Sequence, residues 1–85
     1  MDPRVQEAAL RDREAGQKAK GLLTELAPYL GTLDARLFKV WREDAKTPEV
    51  REETWHRMKA LDMLRAELRQ LIESGDFAEK QLSKS

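Results

Sequence analysis

The sequence predicts an all-α protein: an antiparallel helical hairpin of two to three main helices plus a short C-terminal helix, completed by oligomerisation. Charged residues reach 38% and aromatic residues only 6%, and the helix formers Ala, Leu, Glu, Lys, Arg and Gln dominate. The few β-branched residues are scattered one at a time and cannot form a sheet. Apolar residues recur at spacings of three and four. Residues 1–85 therefore make a single helical domain with a thin core.

The first helix is predicted to begin near the N-terminus, because Asp2 followed by Pro3 is typical of an N-cap with proline in the first turn. The apolar positions that follow alternate at spacings of three and four, which is the pattern of a coiled-coil seam. We call this set the N-terminal stripe: Val5, Ala8, Asp12, Ala15, Ala19, Leu22 and Leu26.

Two interpretations of the N-terminal stripe stay open. Gly16 and Gly21 each cost about 1 kcal/mol relative to Ala inside a helix, so the first interpretation is a partly frayed helix whose second half packs. The second is that small residues let a partner helix approach closely, or that Asp12 fixes the register of an oligomer.

Pro28 is predicted to interrupt the first helix near Leu26, because proline lacks a backbone donor and disfavours helix at the preceding residue. We expect a break, with Thr32 as a cap, and a second helix from about Leu33 to Asp44. One long kinked helix is the alternative. The second apolar stripe contains Leu30, Leu33, Leu37, Val40 and Trp41.

The next helix is expected from Pro48 to Ser74, after a turn at Lys46 and Thr47. Thr47 is placed to cap it, and Pro48 with Glu49 completes a helix-start pattern. Gly75 is expected to end it in a left-handed cap.

A short last helix should follow Gly75. Asp76 and Glu79 have the spacing of a capping box, and Phe77 and Leu82 supply a small apolar face.

The apolar residues of the long helix form the predicted contact surface. They exceed what one thin, alanine-rich partner helix covers, so we expect a dimer or larger homo-oligomer. Leu64 is expected at the centre of the buried stripe, and Lys59 on the outer face. The predicted partner-binding residues are Trp41, Trp55, Met58, Leu61, Leu64 and Leu68.

His56 is the sole histidine, and Glu52 and Glu53 precede it by four and three residues. Helical bundles hold di-iron centres with Glu-x-x-His pairs, but one chain supplies a single pair. A dimer with further ligands from Glu7, Glu14 or Glu25 would complete a metal-dependent oxidase. The other interpretation is a solvated His56 paired with a neighbouring carboxylate, and we predict no metal and no cofactor.

Catalysis by a nucleophile has little support in the sequence. Cysteine is absent, and the serines lie only at a helix end and in the C-terminal tail. The glycines are too far apart to form a phosphate-binding loop. We therefore predict a protein that is not an enzyme.

Nucleic-acid binding is the alternative function. The 16 basic and 16 acidic residues cancel, so only local patches could attract phosphate. Basic residues cluster in two places, at Arg11, Arg13, Lys18 and Lys20 and at Arg57, Lys59, Arg65 and Arg69. However, Glu7–Arg11, Glu14–Lys18 and Glu53–Arg57 have the spacing of i,i+4 ion pairs, which favours a solvated face.

The chain also resembles a group of phage proteins. The segment Gly16-Gln17-Lys18-Ala19-Lys20-Gly21-Leu22-Leu23 is followed by Trp41, the Pro48 turn, Arg51-Glu52, Trp55 and then Gly75. This order, from about Ala15 to Leu82, is similar to small helical proteins of tailed-phage and prophage genomes, often encoded among virion genes. The resemblance implies a virion-assembly or host-interaction role and no active-site residues; His56 lies outside it.

The localisation is predicted from sequence features that are missing: a signal peptide, a membrane span and cysteine. Residues 1–10 lack the apolar run of a signal peptide, and no stretch approaches the roughly 20 apolar residues of a membrane span. The lack of cysteine suits a reducing compartment. We expect a cytoplasmic protein without a membrane partner, located in the host cytoplasm or the virion if phage-encoded.

Overall fold

A computed structural model describes residues 2–84 and contains two long helices joined by a tight connection. Helix α1 spans Pro3–Lys39, and α2 spans Pro48–Ser83. A single wide turn, Val40–Asp44, extends α1, and the Ala45 N–H donates to the Val40 carbonyl at 2.6 Å. The described residues include no strand, and the two helices pack against each other. The predicted all-α hairpin is confirmed.

Two of the predicted N-caps, Asp2 and Thr47, are confirmed. The Asp2 Oδ1 accepts a hydrogen bond from the Arg4 N–H at 2.8 Å, and the Thr47 Oγ1 accepts one from the Val50 N–H at 3.2 Å. Each cap satisfies a donor that the first helical turn leaves unpaired. Local chemistry therefore fixes where both helices begin.

The interface between the helices, which we call the hairpin seam, repeats every seven residues on each helix. Its members are buried or half-buried: Ala9, Gly16, Leu23, Leu30 and Leu37 of α1 and Thr54, Leu61, Leu68, Gly75 and Leu82 of α2. The buried Thr54 hydroxyl donates to the Val50 carbonyl at 2.8 Å, so its burial leaves no unpaired donor.

Pro28 neither ends nor interrupts the helix, so the predicted break and the separate helix from about Leu33 to Asp44 are wrong. Pro28 lies on the exposed face, where the carbonyl that loses its backbone donor can be hydrated. The seam residues Leu23 and Leu30 lie on either side of Pro28 and pack on the same partner. Thr32 caps nothing; its hydroxyl donates to the Pro28 carbonyl at 3.0 Å. Packing against α2 outweighs the local cost of the proline.

Gly75 does not end the second helix either. No described residue has a positive φ, and α2 continues for two further turns, so the separate short C-terminal helix is wrong. Asp76 and Glu79 lie within α2 instead of forming a capping box. Gly75 is buried because its missing side chain permits close helix packing.

Gly16 and Gly75 mark the closest approach of the two helices. A Cβ added at Gly16 would lie 2.8 Å from the Gly75 Cα and 2.8 Å from the Leu71 carbonyl oxygen. A Cβ added at Gly75 would lie 2.8 Å from the Gly16 Cα. Leu23 lies one heptad after Gly16 on α1, and Leu68 lies one heptad before Gly75 on α2. Because the helices are antiparallel, Leu23 and Leu68 therefore lie at the same level. The crossing therefore sets the register of the hairpin.

Candidate functional site

The two long sides of the hairpin differ in chemistry. On α1, Asp34 follows the seam residue Leu30 by four positions, and on α2, Arg65 follows Leu61 by four. The Arg65 guanidinium donates to both Asp34 carboxylate oxygens, and the longer of the two bonds measures 3.2 Å. These positions therefore share one side of the hairpin. Residues three positions after the seam must lie on the opposite side.

That opposite side, which we call the apolar side, carries large hydrophobic side chains from both helices. It contains Leu22, Tyr29, Leu33, Leu64 and Leu71. Their exposed fractions are 45% for Leu22, 39% for Leu33 and 43% for Leu64. Nothing in the described chain covers these side chains. A contiguous exposed apolar patch of this kind is typical of a protein interaction surface.

On α1, the residues of the apolar side belong to the N-terminal stripe and to its continuation towards the connection. Because α1 runs through Pro28, the same alternation of three and four extends beyond Leu26 to Tyr29, Leu33, Arg36 and Val40. The stripe runs beside the hairpin seam, and α2 covers part of it: Ala19 is buried, and Ala8, Ala15, Leu26 and Val40 are half-buried. Hence α1 has two adjacent rows, of which α2 covers one fully and the other in part.

Leu64 does not lie where the helices seal, so the prediction of its burial is wrong. The seam position between Leu61 and Leu68 is taken by Arg65, whose side chain is only 18% exposed. Its aliphatic stem packs in the seam while the guanidinium reaches Asp34. Hydrogen bonding to Asp34 raises the pKa of Arg65 above its usual value, against the opposing effect of desolvation, and the Asp34 and Asp62 charges add to the rise. The guanidinium therefore stays charged.

A second candidate surface, the loop-end aromatic cluster, contains Phe38, Trp41, Arg51 and Trp55. The Phe38 and Trp41 rings stack with centroids 6.4 Å apart, and the Arg51 guanidinium lies 4.2 Å from the Trp41 ring centroid. Trp55 is 45% exposed and has the Lys59 ammonium 5.2 Å from its ring. An open groove of about 310 Å³ lies between the tryptophans.

Each element of this cluster has a local cause. Trp41 lies in the wide turn, a feature that is frequent at functional sites and that rotates the side chains following it relative to a regular helix. Arg51 and Trp55 follow one turn apart on the helix that Thr47 caps. Cation–π contacts then hold the half-buried Trp41 indole and the exposed Trp55 indole in place.

The six predicted partner-binding residues fall into three environments. Trp41 and Trp55 line the loop-end groove, and Leu64 lies on the apolar side. Met58 and Leu61 are half-buried, and Leu68 is 7% exposed in the seam. The structure therefore does not bring the six together on one face. Sequence reasoning missed Tyr29, Leu33 and Leu71 as surface candidates; the heptad continuing past Pro28 was the signal for the first two.

His56 lies on the exposed outer face of α2. Its Nε2 is 3.7 Å from a Glu52 carboxylate oxygen, whereas the Glu53 carboxylate is bonded to Arg57 at 2.7 Å. Among residues 2–84, no group of three His, Asp or Glu side chains is placed to hold a metal ion. The carboxylate of Glu14 is paired with Lys18 at 3.2 Å.

The basic clusters are partly used within the chain. The predicted i,i+4 pairs Glu14–Lys18 and Glu53–Arg57 are confirmed, whereas Glu7 and Arg11 form no ion pair within residues 2–84. Arg65, from the second cluster, is bound to Asp34 between the helices. Neither helix, within the described residues, has the length of apolar sequence required to cross a bilayer.

Comparison of the chain with protein families, with curated proteins and with solved structures gives no match, so its site rests on its own geometry.

Proposed function

We propose that this chain is a non-enzymatic interaction or assembly protein that acts as a homo-oligomer, a dimer or larger, through its apolar side. The observation that most strongly supports this proposal is a row of exposed apolar side chains along one side of the hairpin: Leu22, Tyr29, Leu33, Leu64 and Leu71. A single apolar residue at a surface is ordinary, whereas a row of them along two helices is not. Burial against a second copy would complete a four-helix core.

The total surface of the chain supports this proposal. The accessible area is 6793 Å², whereas a compact monomer of this mass exposes about 5,200 Å². The excess of about 1,600 Å² compares with the roughly 800 Å² that each partner buries in a standard stable interface. The Cα radius of gyration is 18.2 Å, against about 12 Å for a compact domain of this length. One hairpin alone therefore leaves more surface exposed than stable monomers of its size do.

The loop-end aromatic cluster is proposed as the surface for a different protein. Tryptophans that line an open groove and are held by cations supply large contact area at low cost in conformational entropy, and Trp and Arg are frequent at interface hot spots. For a phage-encoded chain, this partner would be another phage protein or a host protein, met during virion assembly or in the host cytoplasm. The resemblance to tailed-phage proteins supports that setting.

Sedimentation equilibrium of the purified chain between about 1 and 100 μM tests the self-association. We expect a mass of twice 9.8 kDa or more at micromolar concentration. Leu33→Gln should weaken the association, because it places an amide on the apolar side. The matched control is Leu10→Gln: Leu10 is 40% exposed and Leu33 39%, but Leu10 lies away from the apolar side. A fully helical monomer at every concentration, or equal effects of both variants, would contradict the proposal.

A further inference from the structure

We infer that two copies of the chain associate through α1 in antiparallel orientation, in the single register that places Asp12 against Arg36 of the partner subunit. This inference rests on the proposed self-association and specifies its geometry. It uses the row of α1 that borders the hairpin seam, which is the N-terminal stripe together with its continuation to Val40. In this row α2 buries Ala19, whereas the following residues stay exposed: Val5, Asp12, Leu22, Tyr29, Leu33 and Arg36.

This row has the periodicity of a coiled-coil seam over nearly the whole length of α1. In antiparallel coiled coils, the two alternating seam positions of one helix face each other across the interface. For two identical helices related by a two-fold axis, choosing one facing pair fixes all the others. Only registers that differ by whole heptads keep the row facing itself.

One register pairs small side chains with large ones. With the axis at the level of Thr24, the half-buried Ala15 faces Leu33 of the partner subunit. The partner subunit's Tyr29 comes to the level of Ala19, which α2 already buries. Tyr29 is 67% exposed in the single chain, the highest exposure of any large apolar residue in the row. A small residue opposite this ring provides the space that it needs, and alternation of large and small is how helix surfaces interdigitate.

The same register pairs the two charges of the row. Asp12 and Arg36 are equally far from Thr24 on opposite sides of it, so each faces the other across the axis, twice per dimer. Neither takes part in an ion pair within the described part of the chain. A shift of one heptad brings Asp12 opposite Tyr29 in one direction, and opposite Glu43 in the other. Both shifts leave Arg36 without an acid, so the charges select this register.

The second helix agrees with the same axis. The exposed leucines of α2, Leu64 and Leu71, lie at the levels of α1 residues 27 and 20 in the hairpin register set by Gly16 and Gly75. These levels are symmetric about Thr24 to within one residue. Each Leu64 therefore comes level with the partner subunit's Leu71. The axis also lies near the middle of the hairpin, so the two copies overlap along their full length.

Disulfide trapping tests this register, and the absence of native cysteine leaves a clean background. The variant Ala15→Cys with Leu33→Cys in one chain should oxidise to a covalent dimer. The two positions are too far apart along one helix, about 27 Å at 1.5 Å per residue, to bond within a chain. Neither single variant should cross-link, because equal positions lie far apart in an antiparallel pair.

Exchanging the two charges of the row tests the register independently of the disulfide. Asp12→Arg and Arg36→Asp, each alone, should weaken dimerisation by about tenfold at low salt, because each opposes like charges. The double variant should restore the wild-type dissociation constant to within about threefold.

The outcomes separate this inference from the proposed function. A sedimenting dimer in which the single Ala15→Cys variant cross-links shows a parallel pair, and one in which no variant cross-links shows another interface. Either result overturns the register and keeps self-association. A wild-type chain that is monomeric and helical at about 100 μM overturns both.

Discussion

The two halves of the hairpin pack their helices with different kinds of residues. In the half near the chain termini, Ala9, Gly16, Ala19, Gly75 and Ala78 are buried, and the backbones approach to contact. In the half near the connection, leucines fill the seam, and an Arg65–Asp34 ion pair closes one side. Close backbone approach stabilises the first half by many small contacts, and burial of large side chains stabilises the second.

This contrast shows why a thin, alanine-rich segment need not be frayed. Small residues bury little apolar area, but they let two backbones pack over a long stretch. In the same segment of α1, Val5 and Asp12 of the N-terminal stripe stay exposed, whereas Ala19 is buried. In the proposed register, this tightly packed half faces the leucine-rich half of the second copy.

The largest expected effect lies in the leucine half. Leu68 is 7% exposed, so Leu68→Ala should lower the free energy of unfolding by about 2 to 5 kcal/mol through lost transfer energy and a cavity. Urea titration followed by circular dichroism at one protein concentration measures it. Leu10→Ala, at 40% exposure and away from the apolar side, is the matched control and should cost clearly less. Equal losses would show that Leu68 does not lie in the seam.

The next largest loss of stability is expected in the half near the chain termini, where the two backbones are in contact. Gly16→Ala places a Cβ 2.8 Å from two backbone atoms that cannot rotate away, so the helices must separate, at about 1 to 3 kcal/mol. Gly21→Ala is the control, because no atom lies within 4 Å of its added Cβ. That variant should stabilise the helix by about 0.5 to 1 kcal/mol. The comparison fails if both variants shift the urea midpoint in the same direction.

A smaller effect concerns the start of α2. Thr47→Ala removes the side-chain acceptor of the Val50 N–H and should cost about 1 kcal/mol. Thr24→Ala serves as the control, because the Thr24 hydroxyl only donates to the Lys20 carbonyl inside an exposed stretch of helix. Thermal melts should show a lower Tm for the first variant and an unchanged or higher Tm for the second.

The smallest expected change belongs to the ion pair of the leucine half. Asp34→Asn removes the charge that the Arg65 guanidinium bonds, and the loss of stability should shrink as salt rises from about 0.05 to 1 M. Asp62→Asn is the control, since the Asp62 carboxylate lies 3.7 Å from Arg65 and is 68% exposed. A loss that does not depend on salt would show that Asp34 acts through packing instead of charge.

Much of the fold was predictable from the sequence because its causes are local. Asp2 and Thr47 cap their helices through hydrogen bonds to residues two and three positions away. Spacing of three and four between apolar residues is enough to predict helices, and a short connection is enough to predict an antiparallel pair.

The errors arose where a distant contact decides the outcome. Pro28 and Gly75 carry strong local signals for a helix end, but the packed partner helix outweighs the first and uses the missing side chain of the second. Arg65 in the seam was unpredictable from hydropathy, because its burial depends on Asp34, 31 positions earlier. Leu64 lies at the surface because Arg65 occupies the seam position beside it. Of the six predicted partner-binding residues, Leu64 lies on the apolar side, and Trp41 and Trp55 lie in the loop-end aromatic cluster.

Small-angle X-ray scattering, at a concentration where sedimentation gives a constant mass, tests the central claim that the hairpin is half of a larger helical bundle. Full-length overlap of two antiparallel copies predicts a particle of twice 9.8 kDa whose longest dimension stays near the 59 Å of one hairpin. A particle of 9.8 kDa, or a dimer close to double that length, would contradict it.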